Sequence, residues 1–126
     1  MPSTKMTWAG RAVSVLAVLP FLPSAWMIFL RRPEVIEGMG HMGLPESLIV
    51  PLGVLELLCV VAYLVPWTSV LGAILLAGYM GGAILTHLRV GEAVYLQIAI
   101  GILVWLGLWL REPRLRALLP LRKLSA

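Results

Sequence analysis

The charges of this 126-residue chain fall in short clusters, and the stretches between the clusters are apolar on every side. Each stretch runs to about 20 residues, the length a helix needs to cross a hydrocarbon core of roughly 30 Å. That pattern constrains the fold more than any motif, because in lipid every backbone N–H and C=O must find its partner within the protein. Helices meet the demand locally. Barrel strands would alternate apolar and polar residues, and these runs do not. Sixty per cent of the residues are apolar and 13% are charged. With a mean hydropathy of +0.96, the chain lacks the polar surface to coat a soluble domain of its size.

The expected architecture is therefore all-α: a four-helix transmembrane bundle forming one domain over residues 1–126, with spans at about 12–30, 48–65, 69–88 and 93–110. Lys5 and Arg11 precede the first apolar run as they would in a secretory signal. The run is long, Arg31-Arg32 close it and no clear Ala-x-Ala site follows, so it reads as a retained span. The basic residues also set the orientation. Seven of them (Lys5, Arg11, Arg111, Arg114, Arg116, Arg122 and Lys123) flank one side of the spans, and three (Arg31, Arg32 and Arg89) flank the other. The positive-inside rule then places both termini in the cytoplasm of a multi-pass protein of the cell's inner membrane. Trp8, Trp67, Trp105 and Trp109 fall near one interface, with Trp26 and Tyr95 near the other, as an aromatic belt requires. The net charge of +4 lies beside these spans, so nucleic acid is not an expected partner. The lipid bilayer is.

Cys59 is the single cysteine and sits within an apolar run, which excludes an intrachain disulfide. No membrane histidines stand at i, i+4, and no Ser-His-Asp set, Walker loop or GxGxxG occurs. No metal and no resident cofactor are expected. Pro20 and Pro23 should bend the first span and leave carbonyls such as those of Leu16 and Leu19 weakly paired. The third span carries two rows of small residues, Ala73-Ala77-Gly81 and Gly78-Gly82-Thr86, whose spacing predicts close helix contacts on two sides and a homo-oligomer or a membrane-protein partner. Between the first two spans, residues 31–47 include the glycine-rich Gly38-Met39-Gly40-His41-Met42-Gly43. They read either as a short helix and turn lying on or dipping into the bilayer surface, or as an exposed loop.

Glu56 is the residue most demanding of an explanation. It lies about eight residues, roughly 12 Å, inside its span, where an ionised carboxylate costs at least a few kcal/mol. It must be neutral, paired or open to a wet cavity, either as a hydrogen bond between helices or as part of a ligand site. Gly53, one turn earlier, leaves room beside it. By depth, Tyr79 of the antiparallel third span is the expected partner. Thr86 and His87 end that span, and Gln97 opens the fourth. Glu56, Tyr79, Thr86, His87 and Gln97 are thus expected to form one polar track, with His41 capping it from the loop.

Four stretches carry a resemblance that covers about residues 10–122. They are Pro33-Glu34-Val35-Ile36-Glu37-Gly38-Met39 with His41-Met42-Gly43-Leu44-Pro45; Gly53-Val54-Leu55-Glu56-Leu57-Leu58; Leu71-Gly72-Ala73 through Gly78-Tyr79 and Gly81-Gly82-Ala83 to Thr86-His87-Leu88-Arg89; and Leu110-Arg111-Glu112-Pro113. The chain resembles the DoxX-like membrane proteins. The resemblance implies a four-helix membrane bundle. It also links the chain to a family whose name comes from a thiosulfate:quinone oxidoreductase subunit, with relatives tied to membrane thiol and oxidative-stress systems and distant ones acting as assembly chaperones. Two functions follow as expectations: binding of a small lipophilic ligand such as a quinone, as an accessory to a redox system, or docking of another membrane protein without catalysis.

Overall fold

The computed structural model describes residues 4–124, and among these every regular element is helical. In chain order they are α1 (Thr4–Val18), α2 (Phe21–Phe29), α3 (Pro33–His41), a 3-10 turn (Glu46–Leu48), α4 (Ile49–Leu64), a second 3-10 turn (Pro66–Thr68), α5 (Ser69–Arg89), α6 (Tyr95–Arg111) and α7 (Pro113–Leu118). The bundle is as expected, but there are more helical segments than four. The first apolar run is split in two, and α3 and α7 are short additions outside the long helices.

Proline causes the split. Pro20 has no amide to give Leu16, and the Leu19 carbonyl is taken by the Leu22 amide at 3.2 Å, because Pro23 cannot donate. The resulting bend lets one run serve two neighbours: α1 packs on α6, whereas α2 packs on α4. With α4 against α5 and α5 against α6, the helices close a ring. Three helical stretches, Thr4–Phe29, Glu46–Leu64 and Pro66–Arg89, are long and apolar enough to cross a membrane. The 17-residue α6 measures about 25 Å at 1.5 Å per residue.

Glycine sets the closest approaches, though not the glycines expected. A Cβ on Gly72 would sit 2.6 Å from the Ala62 carbonyl carbon and closer still to the Tyr63 backbone. One on Gly10 would meet the Arg111 amide at 2.7 Å, and one on Gly107 would meet the Ser14 hydroxyl at 2.5 Å. Around Gly78, Gly81 and Gly82 a Cβ would find nothing within 4 Å. Of the two rows expected to pack closely, Ala73 is buried and α5 does meet neighbours on two sides, α4 and α6, but the glycines of the rows leave open surface. The buried stripe of α5 is Ser69, Gly72, Ala73, Leu76 and Met80, one turn nearer its start.

At the same end of the bundle, Tyr63 joins three helices. Its fully buried hydroxyl lies 2.6 Å from the Val104 carbonyl and 3.1 Å from the Ser14 hydroxyl. Arg111 donates to the Tyr63 carbonyl at 2.7 Å and stacks over its ring, while Arg116 donates to the Trp109 and Leu110 carbonyls at 2.8 Å. These arginines supply the donors that helix C-termini lack. The outer surface is a continuous apolar coat, with Leu58, Leu85, Leu96 and Ile102 each more than 60% exposed, which only a hydrocarbon surrounding tolerates. Trp8, Trp26, Trp67 and Tyr95 project from its two ends, where amphipathic rings settle.

Candidate functional site

Two matching helix ends build the site. At the end of α3, Gly43 takes φ +77°, the Gly43 amide bonds the Gly40 carbonyl and the Leu44 amide bonds the Met39 carbonyl at 2.8 Å. At the end of α5, Gly91 takes φ +80°, its amide bonds Leu88 and the Glu92 amide bonds the His87 carbonyl at 3.0 Å. Both are Schellman motifs, which need a residue free to adopt positive φ at the turn, and glycine does so without strain. Each motif folds the chain back over its own last turn. The second thereby sets Glu92 beside His87, and the first sets Leu44 beside Met39.

The two turns then meet. Arg89 donates to the Met42 carbonyl. The Glu92 carboxylate lies between two imidazoles, 3.3 Å from His41 Nε2 and 3.6 Å from His87 Nε2. His87 Nδ1 is 2.7 Å from the Ala83 carbonyl. A carbonyl only accepts, so Nδ1 carries the hydrogen, and Nε2 can donate to Glu92 only as an imidazolium.

Beneath this clasp, a cavity of about 320 Å³ separates α5 from the residues after α3 and the start of α4. Met39, Met42, Leu44, Leu48 and Leu52 form one wall, and Gly78, Gly82 and Ala83 form the floor. Tyr79, Thr86 and His87 are the polar residues of the lining. The bare glycine row is what makes the space: side chains there would fill it. The Thr86 hydroxyl donates to the Gly82 carbonyl at 2.7 Å, leaving its lone pairs to accept. Tyr79 touches Phe21 edge to face, with ring centroids 6.3 Å apart. Among the described residues its hydroxyl has no hydrogen-bond partner, and Tyr79 borders an apolar cavity.

The expected polar track divides. Glu56 is 2% exposed and does not line the cavity; its Oε2 accepts from the Ser24 hydroxyl of α2 at 3.4 Å, and no hydrogen bond joins it to Tyr79. Depth alone selected Tyr79, whereas the bend at Pro20 swings α2, with Ser24, against α4. Gly53 serves the same α2–α4 contact: a Cβ there would lie 2.7 Å from the Ile28 side chain, so it admits a helix rather than a ligand. Gln97 lies apart from His87. It borders a second, wholly different groove of about 660 Å³ between α5 and α6, floored by Gly81 and Gly101 and walled by Trp105 and Trp109. The structure thus brings Tyr79, Thr86 and His87 together, adds His41 at the rim, and leaves Glu56, Gly53 and Gln97 elsewhere. Sequence reasoning missed Glu92 and Ser24. The Arg89-Val90-Gly91-Glu92 turn was the available signal for the first; a lone serine beside two prolines was the signal for the second.

The model of the DoxX-like family matches residues 12–110. The chain belongs to the DoxX-like family. That match and the apolar helices make this DoxX-like protein a membrane protein. The matched region contains the cavity, the clasp and Glu56, and stops just short of Arg111 and α7. No curated protein and no solved structure matches the chain.

Proposed function

We propose that this DoxX-like protein binds a small lipophilic carbonyl compound of the quinone class in the cavity beneath the α3–α5 clasp, as an accessory to a membrane redox system. One observation carries the reading: the cavity is apolar, yet it is bordered by Tyr79, whose hydroxyl has no hydrogen-bond partner among the described residues. A quinone carbonyl accepts from that hydroxyl, its ring packs on Met39, Met42 and Leu52, and its tail leaves along the apolar coat. Ligand sites of this kind are mostly apolar with a few polar groups fixing orientation. His87, Glu92 and His41 then lie between the ligand and the solvent, placed to carry a proton. In this reading α1–α2, α4, α5 and α6 are four spans of one transmembrane domain, both termini are cytoplasmic, the membrane is the inner one, and the clasp faces outward. Glu56 holds α2 to α4 rather than touching the ligand.

A short-chain quinone should raise the melting temperature of the purified protein in mild detergent. Tyr79→Phe should lose at least about tenfold in affinity, the cost of removing one buried hydrogen bond to the ligand. Equal affinities in the two proteins would remove Tyr79 from the site. No shift in the wild type would remove the quinone.

A second reading, an interaction or assembly protein, is favoured by the groove between α5 and α6, where Gly81 and Gly101 would let another helix approach closely. It takes the form of a homo-oligomer or of a complex with a different membrane protein, and crosslinking in native membranes distinguishes the two.

A further inference from the structure

We propose a second binding site, for a phosphate group, at the opposite end of the bundle. There the start of α1, the α4–α5 turn and the end of α6 enclose a cleft of about 100 Å³, lined by Thr7, Arg11, Ser69, Arg111 and Glu112. A single ordered water takes roughly 30 Å³, so the cleft has room for a tetrahedral anion.

Charge identifies the ligand. Two arginines and one glutamate line the cleft, and among the described residues neither arginine is ion-paired. Arg11 stacks on the Trp8 ring 4.8 Å away and leaves its donors to whatever enters. Arg111 gives one bond to the Tyr63 carbonyl, while its Nε is buried with no partner. A half-buried guanidinium with one nitrogen left unpaired carries a cost, and an anion beside the group offsets it. Glu112 shares the cleft and caps α7 by accepting the Arg114 amide at Oε1, 3.1 Å away, but it is one negative charge against two positive ones. Paired guanidinium forks match phosphate oxygens, which accept from both at once. The cleft lies at a bundle end, beside the residues next to Trp8 and Trp67 in sequence, and aromatic side chains of that kind mark the level of lipid head groups. The phosphate is therefore either the diester of an anionic phospholipid or free inorganic phosphate.

The test uses full-length protein in mild detergent, with two probes. Native mass spectrometry measures retention of phosphatidylglycerol against phosphatidylcholine, and calorimetry measures inorganic phosphate. The site predicts binding of at least one probe. Arg11→Gln should weaken that binding about tenfold or more, the loss of one charge-assisted contact, with an unchanged melting temperature, because Arg11 is exposed and, beyond stacking on Trp8, makes no hydrogen bond or ion pair among the described residues. Arg111→Lys, which retains the charge but loses the fork, should weaken it as well. Binding of phosphatidylglycerol alone assigns the site to lipid, and binding of both probes assigns it to phosphate from either source. Failure of both probes to bind overturns the proposal, as does binding that Arg11→Gln leaves untouched.

Discussion

Gly72→Ala is expected to destabilise the protein by about 3 kcal/mol or more, the upper range for an overpacked contact that cannot relax. The new methyl meets the backbone of Ala62 and Tyr63, and backbone has no rotamer into which to retreat. Relief requires α4 and α5 to part. The turn between them is short and tied down, with Thr68 Oγ1 donating to the Ala62 carbonyl at 2.7 Å. Parting would also pull Tyr63 from its bonds to Val104 and Ser14, so the damage spreads to α1 and α6. Gly78→Ala on the same helix is the control. Its methyl meets nothing, and alanine is the better helix former by about 1 kcal/mol, so stability should hold or rise. Thermal unfolding in detergent measures both, and a Gly72→Ala protein as stable as wild type would refute the described α4–α5 contact.

The two glycines show where sequence reading succeeds and where it stops. Hydropathy and charge segregation sufficed for an all-helical bundle, because lipid imposes backbone pairing on any sequence of this kind. Proline marked the bend in the first run for the equally local reason that it lacks an N–H. Spacing found the small residues of α5 but not their roles. Whether a glycine lies against a backbone, as Gly72 does, or floors an open cavity, as Gly82 does, depends on where the next helix crosses. Tyr63 is similar: its hydroxyl partners stand 49 and 41 residues away in sequence, and nothing local announces them. Of the polar residues singled out, Tyr79, Thr86 and His87 share a cavity because they lie on one face of one helix, Thr86 and His87 being seven and eight residues, about two turns, beyond Tyr79. Glu56 and Gln97 sit on other helices, whose rotation no periodicity fixes.

Gly82→Leu carries the second large effect, on ligand binding rather than on folding. The position faces the cavity and a Cβ there meets nothing within 4 Å, so the longer side chain has the open cavity to extend into and the protein should fold with undiminished thermal stability. The leucine fills the space the quinone needs, and the ligand-dependent rise in melting temperature should vanish. Gly81→Leu, one residue earlier, points its side chain into the α5–α6 groove instead and should leave quinone binding intact. The reverse pattern, with Gly81→Leu blocking and Gly82→Leu harmless, would move the ligand to the groove between α5 and α6. The pair of variants differs by a single step along one helix, so general damage cannot mimic the expected result.

Photolabelling tests the cavity itself. A short-chain quinone bearing a diazirine, irradiated with the protein in membranes and mapped by peptide mass spectrometry, should label residues 39–52 and 78–87, and unlabelled quinone should compete the signal away. Label confined to residues 97–109, or label that excess quinone fails to displace, would contradict a ligand held beneath the clasp of His41, Glu92 and His87.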